Sequence, residues 1–120
     1  MLTCHIRYVI APGKIREFKE YARAWMALIT KHGGTHHGYF IPTDASDKLP
    51  AAAFSFPGLG AEGPADTAVA LFSFPDAEAY ESYRRAVAGD SECKAITARF
   101  NASKCFLSYE RTFLKPVSGE

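Results

Sequence analysis

No charge of one sign dominates this sequence: fourteen Lys and Arg stand against thirteen Asp and Glu in 120 residues, a formal net charge of +1. That balance supplies no positive field of the kind that draws a phosphate backbone or an anionic membrane surface, so neither nucleic acid nor membrane is an expected partner. No apolar run approaches the ~18 residues of a bilayer-spanning helix. The opening Met1-Leu2-Thr3-Cys4-His5-Ile6-Arg7 has neither the basic start nor the apolar stretch of a secretory signal. The expectation is a soluble, cytoplasmic protein. Cysteine is scarce: Cys4, Cys93 and Cys105 are odd in number and form no C-x-x-C pair, which speaks for buried small apolar side chains and against a disulfide framework or zinc knuckle. Missing too are a G-x-G-x-x-G turn, a P-loop, a nucleophile elbow and an H-E-x-x-H helix, and Gly58-x-Gly60 lacks the strand–helix setting that would make it phosphate-binding. Nucleotide chemistry therefore has no support, and no cofactor is expected.

What is present is the composition of a folded domain, 48% hydrophobic and 22% charged. Residues 2–10 alternate, with Leu2, Cys4, Ile6, Tyr8 and Ile10 on one face and Thr3, His5, Arg7 and Val9 on the other, the period of a half-buried strand. After Pro12-Gly13, the residues Ile15, Phe18, Ala22, Trp25 and Ile29 recur at helical spacing as one apolar stripe. His32-Gly33-Gly34 ends that helix, and 35–41 read as a second strand closed by Pro42. Residues 43–66, rich in Pro, Gly, Asp and Ala, read as a long loop insertion with one short strand near 52–56. A third strand at 68–74 leads through Pro75-Asp76 into a helix with Tyr80, Tyr83 and Val87 inward. A short helix capped by Ser91 follows, with Cys93, Ile96 and Phe100 on one side, and then a fourth strand at 104–114. Ala53-Phe54-Ser55-Phe56-Pro57 is echoed by Leu71-Phe72-Ser73-Phe74-Pro75, the mark of a local duplication.

The whole of 1–120 thus reads as one α+β domain, a ferredoxin-like βαββαβ sandwich whose four-stranded antiparallel sheet carries helices on one face. In the last strand Cys105, Leu107, Tyr109 and Phe113 are expected toward the helices. That leaves Phe106, Ser108, Glu110 and Thr112 on the open side with Thr3, His5, Arg7 and Val9. An open face of that kind is more apolar than a monomer tolerates, so a second copy is expected to cover it, making a homodimer of the dimeric α+β barrel type.

Cys4-His5-Ile6-Arg7-Tyr8, the stretch Gly33 to Phe40 (GGTHHGYF), Leu71-Phe72-Ser73-Phe74-Pro75 with Ala79-Tyr80-Glu81-x-Tyr83-Arg84, and Ser108-Tyr109-Glu110-Arg111 together resemble a short bacterial member of the NIPSNAP family. The resemblance runs from residue 2 to about 116. It implies a dimeric α+β barrel related in architecture to cofactor-independent monooxygenases and haem-degrading proteins, and it carries no catalytic motif over to this chain. The mitochondrial placement of animal members is not implied, because an Arg-rich, acid-poor presequence is missing.

The residues with chemistry to offer are His5, Arg7, His37, Tyr39 and Glu110, read as the polar end of a cleft for a small apolar or anionic ligand. His36 and His37 are adjacent in a strand and point to opposite faces, so they cannot share a metal. Gly38 and Phe40 suit the helix side, which puts His37 and Tyr39 on the open face; the opposite parity would put His36 there. A His5–His37–Glu110 metal site is disfavoured, because the first two strands lie two spacings apart, roughly 10 Å, and no metal is expected. His5, Arg7 and Glu110 are expected to form a partly buried charge cluster. Three functions stay open: a small-molecule-binding dimer, such as a cofactor-independent oxygenase or isomerase with 43–66 as a lid; a non-catalytic interaction or scaffold module; and a haem or metal binder using His5, His36 or His37.

Overall fold

The structure, a computed structural model, describes residues 1–43 and 64–117. The chain runs β1 (Leu2–Ile10), α1 (Ile15–Lys31), β2 (Thr35–Phe40), β3 (Thr67–Phe74), α2 (Ala77–Gly89), α3 (Ser91–Ser103) and β4 (Phe106–Leu114). The sheet is antiparallel throughout in the order β2-β3-β1-β4, the ferredoxin-like arrangement expected. The short strand near 52–56, the first copy of the repeat, and nearly all of the lid lie outside the described residues. Among the described residues no helix is long and apolar enough to cross a membrane.

Period-two patterning builds the core. Cys4, Ile6, Tyr8 and Ile10 from β1 and Ala68, Ala70, Phe72 and Phe74 from β3 are all buried on the helix side, under Phe18, Leu28 and Ile29 of α1, Tyr83 and Val87 of α2 and Phe100 of α3. Ile15, counted in the α1 stripe, is 41% exposed, and Leu28 takes a place in the core instead. All three cysteines are buried and unpaired.

Two irregularities reset the faces. In β2, His36 pairs with Phe72 and Gly38 with Leu71, so His37 is the extra residue of a β-bulge, which Gly38 accommodates with φ +120°. One inserted residue inverts the parity beyond it: Tyr39 pairs with Ala70 on the helix side and Phe40 with Val69 on the open side, the reverse of expectation. In β4 a shift lets Ile10 oppose Phe106 while Val9 opposes Ser108. Phe106 therefore packs against the core, and Leu107, expected inside, is 66% exposed. Tyr109 and Phe113 do stand on the helix face, opposite Tyr8 and Cys4.

The helix ends are fixed by specific bonds. At the end of α1, the N–H groups of His32, Gly33 and Gly34 donate to the carbonyls of Leu28, Thr30 and Ile29, and Gly33 turns with φ +90°. Gly34 then passes close to the core: a Cβ there would lie 2.7 Å from Ile29 Cγ2 and 2.9 Å from Phe74 Cε1. The cap of α3 is Asp90 rather than Ser91; its Oδ1 accepts from the Cys93 N–H at 3.0 Å, while Oδ2 meets Lys31 Nζ and His32 Nε2, each at 2.8 Å. One carboxylate thus ties the end of α1 to the start of α3. The Lys31 ammonium, the Cys93 N–H and His32 together hold the Asp90 carboxyl well below its ordinary value of 3.8.

Two outcomes follow for stability. Gly34→Ala loses about 1–3 kcal/mol in chemical denaturation, because both neighbours of the new methyl are packed core groups; an unchanged midpoint would contradict the close approach. A depressed carboxyl stabilises above its ordinary range and that contribution is lost as pH falls below it. Asp90→Asn therefore lowers the melting temperature at pH 7 and flattens its decline below about pH 4, and an acid limb as steep as the parent's would refute the assignment.

Candidate functional site

The sequence-predicted residues divide between the two faces of the sheet. On the open face Arg7 Nη2 meets Glu110 Oε2 at 2.9 Å, with the side chains 58% and 63% exposed in the single chain. An exposed pair of this kind contributes about 0–1 kcal/mol. His5 does not join it; its Nδ1 lies 3.3 Å from Thr112 Oγ1. His37 Nε2 bonds Ser73 Oγ at 2.8 Å, and Ser73 Oγ bonds Thr3 Oγ1 at 2.8 Å, which tethers the bulge to the sheet. β3 separates the strands of His5 and His37, and among the described residues no three His, Cys, Asp or Glu come together as a metal site. Tyr39 is absent from this face altogether.

Tyr39 instead joins an aromatic cleft on the other side, between the sheet and the helices. Its ring stacks 6.1 Å from that of Tyr8 and meets Tyr21 edge-on at 6.3 Å. Tyr8 and Tyr21 hydroxyls are 3.0 Å apart. The space around them forms two chambers. The inner, of about 40 Å³, lies among Tyr8, Tyr21, Tyr39, Tyr83, Arg84 and Arg111. The outer, of about 160 Å³, is walled by Trp25, Phe100, Phe106 and Tyr109 with Thr97 and Asn101. Tyr8, Tyr21, Trp25 and Arg111 line both.

Arg111 is the unusual member. It stands opposite Ile6 in the β1–β4 register, on the face that the helices cover. Its Cζ lies 5.7 Å from the Tyr109 ring centroid, a cation–π distance. Its Nε is buried without a hydrogen-bond partner, and among the described residues no Asp or Glu comes within 4 Å of its guanidinium. The nearby Cys4 thiol is pushed up by burial, an effect that Arg111 partly offsets.

Burial also dominates the phenols. It raises Tyr21 to about 12, and it pushes Tyr8, Tyr39 and Tyr83 well above their ordinary value. At neutral pH these groups are hydrogen-bond donors and not bases. Among the described residues no Asp, Glu or His lines either chamber. The cleft can therefore hold and stabilise negative charge, but it offers no side chain to abstract a proton.

Sequence reading misses this site because it gives Phe18, Trp25, Tyr80 and Tyr83 to core packing and passes over Arg111. A signal was present: Arg111 interrupts the helix-facing alternation Tyr109, Phe113, and a charged residue at an inward position is the informative kind of exception.

Fold and cleft define an α+β domain of the ferredoxin-like class with helices on one face of its sheet. The NIPSNAP family model matches residues 5–48 and 50–119, and the chain belongs to the NIPSNAP family. Among solved structures, a NIPSNAP family protein of Agrobacterium tumefaciens is similar with 20% identity and a TM-score of 0.72, over 98% of this chain and 94% of that one. An uncharacterised NIPSNAP domain protein of Burkholderia xenovorans has 20% identity and a TM-score of 0.67, over 99% and 97%. A protein of Nitrosomonas europaea provisionally designated an antibiotic biosynthesis monooxygenase shares the fold at 8% identity and a TM-score of 0.63, over 98% and 100%. No curated protein matches the sequence.

The phenols give a direct check on the cleft. Raised values mean that the folded form stays protonated while the unfolded form ionises, so stability is intact below about pH 10 and declines above it. In an alkaline absorbance titration Tyr21 ionises near 12, and Tyr8, Tyr39 and Tyr83 likewise ionise well above the ordinary tyrosine value. Ionisation of all six tyrosines by about pH 11 in the folded protein would contradict a dry cleft.

Proposed function

We propose that this NIPSNAP domain is a homodimeric small-molecule-binding protein whose ligand occupies the cleft between sheet and helices, and whose open sheet face is the contact between copies. The observation that carries the reading is the outer chamber. At about 160 Å³ it matches the space that takes up a benzene-sized molecule when lined by apolar side chains, ~150 Å³. Its walls are aromatic, with an arginine and two phenolic hydroxyls at the shared inner end, the pattern of an apolar pocket with a few convergent polar groups.

The chemistry favours one of the two expected reaction types. An isomerase working by proton transfer needs a base, and among the described residues neither chamber has an Asp, Glu or His to supply one. Neutral phenols and a guanidinium suit a ligand that is already acidic and is held as its anion, the starting point for a cofactor-independent oxygenase. The N. europaea neighbour's designation is in keeping with that choice.

For the open face, the support is its composition: Val9, Val69 and Leu71 are half-buried there, and Phe40 and Leu114 are 52% and 51% exposed, around the Arg7–Glu110 pair. Leu71 sits near the middle, opposite His5 on one side and Gly38 on the other.

Native mass spectrometry of gently purified protein tests both parts. The expected spectrum is a dimer carrying a non-peptide mass or accepting one on addition of small aromatic compounds, and Leu71→Arg yields a folded monomer. A monomeric parent would refute the covered face, and a dimer that takes up none of those compounds would refute the ligand cleft and favour a scaffold.

A further inference from the structure

We propose that the ligand of the helix-side cleft carries a carboxylate-type anionic head on a body the size of a single ring, and that Arg111 is the residue that holds the head. This rests on the assignment of the cleft as the ligand site and deepens it by naming the ligand's charge and size.

The charge follows from what surrounds Arg111. Its guanidinium is permanently charged, one of its nitrogens is buried without a partner, and no carboxylate of the described residues reaches it. Buried donors are nearly always satisfied, and a buried charge is nearly always paired. The tyrosines around it cannot become the counter-charge, since burial keeps Tyr8, Tyr21, Tyr39 and Tyr83 protonated. As neutral phenols they can donate or accept a hydrogen bond, but they bring no negative charge to balance the guanidinium. A second guanidinium, that of Arg84, lines the same inner chamber, so the local field is positive, with no acidic side chain among the described residues of either lining. A planar anion that accepts two bonds from an arginine fork, with a phenol hydroxyl as an added donor, completes this set.

The size follows from the chambers. The inner one, about 40 Å³, admits little more than the head group or a water molecule, whereas the outer, about 160 Å³, takes one ring between Trp25, Phe100, Phe106 and Tyr109. Because Arg111 lines both, a ligand with its ring outside and its carboxylate inward meets the guanidinium at the junction. A neutral analogue of the same shape fills the chamber but leaves Arg111 unmatched.

Trp25 lines both chambers and is the single tryptophan of the chain, so its fluorescence reports the cleft directly. The probes are benzoate and its neutral counterpart benzamide, titrated into the intact protein. The expected result is saturable benzoate binding, with benzamide weaker by about tenfold or more, the usual yield of a charge-assisted hydrogen bond. Arg111→Gln brings benzoate down to the benzamide level, and Arg111→Lys falls between, because it keeps the charge and loses the fork. If the Gln variant does not fold, the comparison of the two probes on the parent protein still decides. Equal binding of the two, or undiminished benzoate binding by a folded Arg111→Gln protein, overturns the anionic class while leaving the cleft as a ligand site. Failure of benzoate, benzamide and phenol alike to perturb Trp25 overturns both the anionic class and the cleft as a ligand site.

Discussion

Tyr8 is the point through which both the fold and the cleft are organised. It stands on a central strand, 2% exposed, with the rings of Phe18, Tyr21, Tyr39, Phe106 and Tyr109 between 5.2 and 6.4 Å from its own. Those five come from α1, β2 and β4, so one side chain couples a helix and two strands that are not its immediate sequence neighbours. Aromatic contacts of this sort are each worth about 0.5–1.5 kcal/mol beyond area burial. Yet a phenol at the centre of a core must find a partner for its hydroxyl, and Tyr8 finds Tyr21. The need to satisfy one hydroxyl imports a second, and the helix side of the sheet becomes polar at the place where Arg111 enters.

The two β irregularities decide which residues share that place. Without the extra residue at His37, Tyr39 would look out with Thr35, and the stack on Tyr8 would be lost. Without the shift in β4, Phe106 would leave the core for the open side, and the outer chamber would lose a wall. Bulges commonly re-aim side chains in this manner. The Thr3–Ser73–His37 bonds on the opposite face then have a plain structural meaning: they hold the extra residue of β2 in register.

This also explains what could be read from the chain and what could not. Strict alternation in 2–10 and helical spacing in 15–29 made β1, α1, the element order and the ferredoxin-like sheet legible, because burial enforces those periods on any solution. The faces of β2 and β4 were not legible. Parity arguments carry through a strand only while the ladder is regular, and neither Gly38 nor the Leu107 position announces a bulge by residue type alone. Alternation alone therefore puts Tyr39, Phe40, Phe106 and Leu107 on the wrong sides and directs the candidate cleft to the open face. Arg7 and Glu110 were expected as neighbours and are paired, since they lie opposite one another in a stretch where the β1–β4 ladder is regular. Arg111 is legible as a charge at an inward position, but its significance depends on no carboxylate of the described residues reaching it, which only the assembled fold displays.

The central claim is that ligand chemistry belongs to the helix side of the sheet and not to the face that carries His5, Arg7 and Glu110. Nuclear magnetic resonance of the isotope-labelled protein decides between the two faces in one titration with benzoate. The account predicts that the Arg111 Nε–H and Trp25 indole N–H resonances shift together and saturably, while the signals of His5 and Arg7 stay in place. Shifts confined to His5, Arg7 and Glu110, with Arg111 and Trp25 unmoved, would contradict it.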